Sequence, residues 1–294
     1  MFERHIYREP KDRILPTGPE YVGLIKYDGA NYWGILDSRG AIRFISRRPS
    51  VKGGYPDRTE SLPHLTQKLL PEFAGNVFNF ELIHTGHNKN QVESHSQVSG
   101  ILNSLPPRAQ STQRILGPIR AVLHNVVNPD FSTFKDKYAY MKKFEKAFGN
   151  SDLMFTPELH FGEDIRKLSD FTKREGREGI IVTRWDHPES DNPRLKEKHK
   201  ILYNLRIVRL LQEVDSDGQP KQSMGAAEVE DASGRIVGAV GTGWSREQRK
   251  AAWQNPRDYI GRLIQVESMG LAANRLRMAV YNGDADGEID LVTA

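Results

Sequence analysis

The chain has 294 residues, 42 of them Lys or Arg and 38 Asp or Glu, and it contains no cysteine. This length suffices for about two domains, and the lack of cysteine excludes disulfides, thiolate metal sites and cysteine nucleophiles. No apolar run approaches the roughly 20 residues that a membrane span requires. We therefore expect no association with a membrane and a cytoplasmic location, in a bacterium or, for a phage protein, in its host.

The charge is unevenly distributed along the chain. Residues 1–206 carry 32 Lys and Arg against 25 Asp and Glu, whereas residues 207–294 carry 10 against 13. A basic surface suits a polyanion such as nucleic acid, because phosphate neutralisation releases counterions. A surface that only keeps the protein soluble explains the same charge equally well.

The first elements in chain order are predicted strands. Residues 20–48 alternate strand-like runs with Asp-Gly and Ser-Arg-Gly turns, a pattern typical of an antiparallel meander. "NVFNFELIHTG" (76–86) and "IRAVLHNVVN" (119–128) are further predicted strands, with a predicted helix over "QVESHSQVSGILNSL" between them.

Two helices and a buried strand follow. Residues 130–149 place aromatic and methionine side chains at helical spacing and end at Gly149, which predicts an amphipathic helix. "GEDIRKLSDFTKREG" (162–176) predicts a shorter helix. It precedes the apolar strand "REGIIVTRW" and the polar loop "DHPESDNPR".

From Ile201 the sequence changes to short strands separated by Gly, Asp and Asn turns, with one short helix near "SREQRKAAW". About five strands within 90 residues indicate a small antiparallel barrel, for which the OB-fold is a common precedent. The sequence thus predicts two domains, residues 1–205 and 206–294, with the boundary near Leu205.

Several charged side chains stand at the ends of the predicted strands. They are Lys26 and Asp28 in "KYDG", Arg47 in "FISRR", Glu81 in "FELI", Glu178 in "EGIIV", and Lys196 and Lys198 in "LKEKHK". Each alone has an ordinary explanation as a solvated strand-end residue. Together, lysines and carboxylates on strands suit a nucleoside triphosphate and its metal. A lysine can attack phosphorus only when it has lost its proton, which neighbouring cations or desolvation promote.

The ordered series "KYDG", "SR", "FELI", "EGIIV" and "LKEKHK" resembles the motifs of ATP-dependent DNA ligases, which belong to the covalent nucleotidyltransferases. The segment "GRIVGAVGTGWSREQRKAAWQNPRDYIGRLIQVESMG" resembles their OB domain. The resemblance implies an α+β nucleotidyltransferase domain, with antiparallel sheets and flanking helices, followed by an all-β OB-fold domain. It also implies ATP, Mg²⁺ or Mn²⁺, nicked duplex DNA as partner, and a monomer.

The resemblance also implies roles for single residues. Lys26 matches the adenylated nucleophile, which Asp28 supports, and Arg47 matches an arginine that contacts phosphate at the nick. Glu81 matches the ribose-binding acid, and Glu178 the metal-associated acid, with Glu81 as a second candidate metal ligand. Lys196 and Lys198 match the pair that holds the α-phosphate, and Lys198 thereby takes part in catalysis.

Three positions depart from the family pattern. Asn31 stands where the family usually has arginine, and an asparagine at this place resembles one class of RNA ligases. His124-Asn125 replaces the usual Phe-Asp. We still expect Asn31 and His124 to contact the nucleotide, His124 by stacking on adenine. The last family motif, a basic strand, is blurred, with Arg275 and Arg277 as its nearest matches.

Alternative functions remain open on the sequence alone. Asn31 favours an RNA ligase, although the OB-like segment favours a DNA ligase. A GTP-using capping guanylyltransferase and a non-catalytic nucleic-acid-binding protein are more distant alternatives. The pair His84 and His87 in "HTGH" is a weak candidate metal site.

Overall fold

The computed structural model describes residues 7–8, 14–50, 53–88, 92–93, 95–127, 130–188, 194–272 and 274–292. The chain forms two compact units, Met1–Lys198 and His199–Ala294. Leu205, the predicted domain boundary, lies inside a long strand of the second unit. In the described part of the chain, no helix combines the length and apolarity that crossing a bilayer requires.

Among its described residues, the first unit has ten strands and five α-helices. The strands are β1 Tyr7–Arg8, β2 Tyr21–Lys26, β3 Ala30–Leu36, β4 Ile42–Ser46, β5 Val77–Ile83, β6 Arg120–Val127, β7 Met154–Phe155, β8 His160–Phe161, β9 Gly179–Arg184 and β10 Arg194–Lys198. The helices are α1 Pro63–Thr66, α2 His95–Leu102, α3 Pro106–Leu116, α4 Phe134–Phe148 and α5 Asp164–Arg174. Short 3-10 turns occupy Thr59–Ser61 and Pro71–Phe73.

These strands form two five-stranded sheets. The first has the order β1-β10-β9-β2-β8 and the second has the order β4-β3-β5-β6-β7. The pairs β1–β10 and β6–β7 are parallel, and the other pairs are antiparallel. The prediction of antiparallel sheets with flanking helices is confirmed for this unit except at these two edge pairs, which are parallel.

The predicted meander over residues 20–48 is wrong at its first link. Strand β2 pairs with β9 and β8 in the first sheet, whereas β3 pairs with β4 and β5 in the second. The link between β2 and β3 crosses between the sheets at Gly29, where a Cβ atom would lie 2.2 Å from the carbonyl oxygen of Leu82. Only glycine fits there, so the Asp28-Gly29 signal marks a crossing between sheets and not a hairpin.

Helices α4 and α5 cover different sheets. Phe144 of α4 packs on Phe78 of β5 with ring centroids 4.2 Å apart, and Ile165 of α5 belongs to a cluster with Ile180 and Val182 of β9. Because strand side chains alternate between faces, residues 79 and 81 lie on the face of the second sheet opposite α4. Residues 179 and 26 likewise lie on the face of the first sheet opposite α5.

The predicted helix over residues 130–149 is confirmed as α4. Thr133 caps its N-terminus by accepting the backbone N–H of Asp136, and Gly149 ends it with φ +80°. Phe134, Met141, Phe144 and Phe148 are buried. Helix α3 was not predicted, because its first residues are Pro106 and Pro107, which usually indicate a break but are favourable in a first helical turn.

The second unit is a five-stranded antiparallel sheet with a short helix. Its elements are β11 Ile201–Val214, β12 Pro220–Glu230, β13 Ile236–Val240, α6 Arg246–Gln254, β14 Leu263–Ser268, β15 Leu271–Ala272, β16 Arg275–Leu276 and β17 Val280–Asp284, with a 3-10 turn at Pro256–Asp258. The sheet order is β13-β12-β11-β14-β17. A parallel bridge between Thr242 and Val280 joins the chain after β13 to β17, the opposite edge of the sheet.

Helix α6 confirms the predicted short helix. Ser245 and Gln248 form a capping box at its start, in which each side chain binds the backbone N–H of the other. The unit has its own hydrophobic core, which includes Leu205, Val229 and Val266. The prediction that this core belongs to an OB-fold domain of residues 206–294 stays a prediction.

Candidate active site

Lys26, Glu178 and Lys198 meet where three neighbouring strands pair. In the strand register Lys26 of β2 and Lys198 of β10 both lie opposite Gly179 of β9, and Glu178 directly precedes that glycine. Lys26 Nζ lies 2.5 Å from Glu178 Oε2, and Lys198 Nζ lies 3.1 Å from Glu178 Oε1. The carboxylate side chain is only 6% exposed. One buried carboxylate therefore holds two lysine amines on the face of the first sheet opposite α5.

Gly179 is necessary for this arrangement. It has φ +145°, and a Cβ atom there would lie 2.0 Å from the carbonyl oxygen of Glu197 in β10. Any side chain at this position would displace the strand that carries Lys198. The glycine thus allows the close approach of β9 and β10 at the lysine pair.

Lys196 lies on the strand of Lys198, and Arg47 directly follows β4 of the second sheet. Lys196 pairs with Ile181 of β9, and because it is two residues from Lys198 it lies on the same face of β10. The backbone N–H of Arg47 donates to the carbonyl oxygen of Asn31 at 3.3 Å. Arg47 therefore follows β4 beside the strand that carries Asn31.

The second sheet supplies a polar network centred on Asn31. Its Nδ2 lies 3.1 Å from Glu81 Oε2, 3.2 Å from Asn79 Oδ1 and 3.1 Å from His124 Nε2. Its Oδ1 accepts from Asn79 Nδ2 at 2.9 Å. Asn31 and Glu81 are direct partners across β3 and β5. The amide of Asn31 is the centre of this network, a role that the sequence did not predict.

His124 reaches the network because β6 is irregular. The register between β5 and β6 shifts after Asn79, which pairs with Asn125 while Phe80 pairs with Leu123, so that His124 is the extra residue of a bulge. Such a bulge changes the direction of a side chain and is frequent beside functional sites. Strict alternation of strand residues, on which sequence prediction relies, fails at this point.

Arg194 connects the two sheets. It is buried, and its guanidinium donates to the carbonyl oxygen of His124 at 3.1 Å and to Asn125 Oδ1 at 3.2 Å. It also lies over the ring of Phe134, 4.9 Å from the centroid. The sequence did not predict this contact, since Arg194 adjoins a polar loop of which residues 189–193 lie outside the described residues.

Burial raises the pKa of the Glu81 carboxyl from 4.5 to about 7. The positive charge of Lys26 and the hydrogen bond from Asn31 act in the opposite direction, and the negative charges of Glu178 and Asp28 add to the rise. Lys26 and Glu178 therefore act electrostatically on Glu81. The lysine cluster of the first sheet and the network of the second thus lie close enough to interact electrostatically.

Asp28 enters the site through its backbone. Its N–H donates to Glu93 Oε1 at 3.1 Å, and Glu93 Oε2 accepts from Arg177 Nη1 at 2.9 Å. Neither Glu93 nor Arg177 was predicted as a site residue. Glu93 lies in a polar segment without an apolar strand pattern, and only the position of Arg177 directly before Glu178 hinted at its place.

Among the described residues, no group of three or more His, Cys, Asp or Glu side chains could by itself hold a metal ion. His84 and His87 bind protein atoms: Nε2 of His84 lies 3.2 Å from the carbonyl oxygen of Gly117 and Nε2 of His87 lies 2.9 Å from that of Ile115. These contacts give both histidines structural roles. The predicted Arg275 and Arg277 lie in the second unit, Arg275 in β16 and Arg277 just after it.

The comparisons with known proteins concern the fold. No protein-family model and no curated protein matches the sequence. A solved structure from a structure-function study of Lig E DNA ligases, described as DNA binding with a minimal scaffold, matches 96% of this chain and 98% of its own, with 14% identity and a TM-score of 0.70.

Two further structures, named Pmar-Lig_PreS3 and Pmar-Lig_Pre, each match 90% of this chain at 14% identity, with TM-scores of 0.64 and 0.62. This chain spans 63% and 64% of their lengths. The chain therefore shares its fold with a DNA ligase structure of nearly the same extent.

Proposed function

We propose that this chain is an ATP-dependent DNA ligase that seals nicks between a 3′-hydroxyl and a 5′-phosphate in duplex DNA. The observation that carries the proposal is the Lys26–Glu178–Lys198 cluster, with the Lys26 amine 2.5 Å from a buried carboxylate. The shared fold with a Lig E DNA ligase structure supports it. An amine beside a second lysine and an acid is the equipment that phosphoryl transfer to nitrogen requires.

In the first step, Lys26 Nζ loses its proton and attacks the α-phosphorus of ATP. The nitrogen–phosphorus bond forms, the bond from that phosphorus to the β-phosphate oxygen breaks, and pyrophosphate leaves. Glu178 Oε2 is placed to accept the proton, since it already accepts from Nζ. Lys198, with Lys196 on the same face of β10, stabilises the charge on the α-phosphate oxygens.

The network of the second sheet holds the nucleoside. Glu81 binds a ribose hydroxyl, and the imidazole of His124 lies against the adenine ring. Asn31 contacts the nucleotide only indirectly, because its amide already binds Glu81 and His124. Arg47 contacts phosphate at the nick.

Two further transfers complete sealing. An oxygen of the DNA 5′-phosphate attacks the AMP phosphorus, and the bond to Lys26 breaks. The 3′-hydroxyl then attacks the 5′-phosphate, the phosphodiester bond forms, and AMP leaves. Asp28 supports Lys26 in these steps. They depend mainly on alignment, which the pairing of β2, β9 and β10 fixes at Lys26.

A divalent cation, Mg²⁺ or Mn²⁺, would fit beside Glu178, with Glu81 as a further oxygen ligand. Magnesium typically binds through one or two carboxylates, water and substrate phosphates, so the small number of acids agrees with a site completed by the nucleotide. When bound, the cation would neutralise charge on the triphosphate.

We infer that the second unit is an OB-fold that contacts the DNA backbone. Its sheet order and the parallel bridge from Thr242 to Val280 correspond to a five-stranded barrel that is almost closed, with α6 between the third and fourth strands. Contacts to phosphate and sugar carry no sequence information. We therefore propose a sequence-tolerant enzyme that acts as a monomer.

The second candidate function is an RNA ligase that acts on RNA-containing nicks. Asn31, which replaces the usual arginine, favours it, and its contacts with Asn79, Glu81 and His124 support a role for this replacement in the site. The two candidates share the lysyl-AMP step and differ only in the strand that they accept.

The test begins with ATP labelled at the α-phosphate and Mg²⁺. The full chain should acquire a covalent label that survives denaturation, and Lys26→Ala and Lys26→Arg should acquire none. Lys167→Ala is the matched control, because Lys167 makes an exposed ion pair with Asp164 at 2.7 Å, and it should label like the unmodified chain. An unlabelled wild-type chain, or a labelled Lys26→Ala variant, would contradict the proposal.

Nicked duplexes then separate the two candidates. We expect sealing with DNA on both sides of the nick. Sealing that occurs only with an RNA 3′-hydroxyl strand would assign the chain to the RNA ligases instead.

A further inference from the structure

Glu93 is a buried acid of the first unit, and the proposed reaction gives it no role. It lies between β5 and α2, and its side chain is 0% exposed. Both carboxylate oxygens are engaged, Oε1 by the backbone N–H of Asp28 at 3.1 Å and Oε2 by Arg177 Nη1 at 2.9 Å. A buried carboxylate with two fixed donors is a rigid connection between them.

The two donors belong to the segments that carry the reacting groups. Asp28 lies two residues after Lys26, and Arg177 directly precedes Glu178. Lys26 and Gly179 are paired across β2 and β9. Glu93 therefore joins the segments next to these two strands just beyond the point where their pairing ends. The backbone hydrogen bonds hold the strands together up to Lys26, and Glu93 extends the connection past it.

We propose that Glu93 is a positioning residue that fixes the distance between Lys26 and Glu178 by holding the Asp28 amide and the Arg177 guanidinium at once. This inference rests on the proposed ligase function for its effect on catalysis, but the distance itself does not depend on that function. The hydrogen bonds of the Glu93 carboxylate go to Asp28 and Arg177, so Glu93 acts on Lys26 and Glu178 through their neighbours.

Loss of Glu93 should disturb this connection strongly, because Arg177 is also buried, with 11% of its side chain exposed. Within the described residues, the buried Nε of Arg177 has no hydrogen-bond partner, and the guanidinium donates to Glu93 through Nη1. Loss of one partner of a buried pair leaves the other charge uncompensated. Arg177 would then move, and Glu178 would move with it.

Four variants test the role. Glu93→Ala removes both contacts and should lower the rate of lysyl-AMP formation at saturating ATP about 10- to 100-fold, with KM for ATP changed much less. Glu93→Gln keeps a carbonyl oxygen for one donor and should lie between Glu93→Ala and wild type. Arg177→Lys keeps the charge and should recover part of the rate that Arg177→Ala loses.

Glu163→Gln is the matched control. Glu163 is an exposed acid of the same unit, 3.6 Å from Arg166, and its replacement should leave the rate unchanged. Thermal unfolding of each variant gives its folded fraction, and all rates are divided by that fraction. A rate that falls only in proportion to the folded fraction would overturn the proposal.

A second measurement needs no ATP. Acetic anhydride acetylates lysine amines, and mass spectrometry gives the rate at Lys26 relative to Lys167 as a function of pH. If Glu93 holds Lys26 against Glu178, folded Glu93→Gln and Glu93→Ala should acetylate Lys26 several-fold faster than wild type and shift its pH profile. An unchanged profile in both variants would overturn the proposal.

The two measurements keep this inference separate from the ligase proposal. If the wild-type chain forms no lysyl-AMP but Lys26 is acetylated faster in the Glu93 variants, the result would contradict the ligase proposal and support the positioning role. Normal lysyl-AMP formation and normal acetylation in the Glu93 variants would support the ligase and overturn the positioning role.

Discussion

The Glu81 carboxyl keeps its proton up to near-neutral pH, because burial raises its pKa from 4.5 to about 7. The folded state therefore binds this proton more tightly than the unfolded state does. The stabilisation is complete below pH 4.5 and is lost as the pH rises through 7, by about 3 kcal/mol at most.

Glu81→Gln should remove this pH dependence. Urea unfolding at pH 5 and pH 8 should show that the free energy of unfolding of wild type falls further between the two values than that of Glu81→Gln. Glu163→Gln, at an exposed position, should behave like wild type. Equal changes in wild type and Glu81→Gln would show that Glu81 does not hold the proton.

Asn31 links three polar side chains through one amide nitrogen. Its Nδ2 carries two hydrogens and lies within 3.2 Å of Asn79 Oδ1, Glu81 Oε2 and His124 Nε2. These hydrogens can serve at most two of the three atoms at a time. The amide thus holds the side chains that we propose to contact the nucleoside.

Asn31→Asp should weaken ATP binding. The change removes both hydrogens and places a second carboxylate beside Glu81, so KM for ATP in lysyl-AMP formation should rise at least about tenfold, more than the maximal rate falls. Asn150→Asp is the matched control, because Asn150 uses its carbonyl oxygen to accept the Asp152 N–H. A normal KM in Asn31→Asp would exclude Asn31 from the site.

At this scale, short motifs predicted the charged residues and missed those that hold them. Lys26, Glu178 and Lys198 were predicted together from their residue types on strands and from family resemblance, and the structure brings them into contact. Glu93 and Arg194 have no motif, and their partners lie 65 to 84 residues away in the chain. Such contacts depend on how the sheets pack, which local sequence does not encode.

At the scale of elements, the start of β9 requires glycine for two reasons. Gly179 combines φ +145° with a backbone oxygen 2.0 Å from the place of a Cβ atom. Gly176, three residues earlier, has φ +66° but nothing within 4 Å of its place. The two glycines separate backbone strain from steric conflict.

Gly179→Ala should therefore cost more stability than Gly176→Ala. We expect about 1–2 kcal/mol for Gly176→Ala, from the left-handed conformation alone, and at least about 3 kcal/mol for Gly179→Ala, from strain and displacement of β10 together. Urea unfolding measures both. Equal losses would mean that β10 tolerates the extra atom.

The elements also show where sequence patterns succeed. Helix α4 was predicted because its apolar side chains repeat at helical spacing and Gly149 ends it. The crossing at Gly29 was mistaken for a hairpin turn, since both begin with Asp-Gly after a strand. The partner of a strand depends on long-range contacts, and turn residues alone do not determine it.

At the scale of the whole molecule, charge governs the proposed contact with DNA. Residues 1–206 have an excess of basic over acidic side chains. Affinity for a nicked duplex should therefore fall with salt. With about four phosphate contacts the loss between 50 mM and 200 mM salt is about 100-fold.

Fluorescence anisotropy with a labelled nicked duplex measures this dependence. Lysyl-AMP formation without DNA, followed over the same salt range, separates effects on DNA binding from effects on the active site. An affinity for duplex DNA that does not change with salt would contradict a backbone-directed DNA-binding surface.

Because two lysines share one carboxylate, replacing the carboxylate should impair folding more than replacing either lysine. Loss of Lys26 leaves Glu178 beside Lys198 at 3.1 Å, so the anion stays compensated and the chain can fold. Loss of Glu178 leaves two ammonium groups, 22% and 17% exposed, facing each other. A variant library selected only for folded protein should therefore retain replacements of Lys26 and lose those of Glu178, although no catalytic step enters the selection.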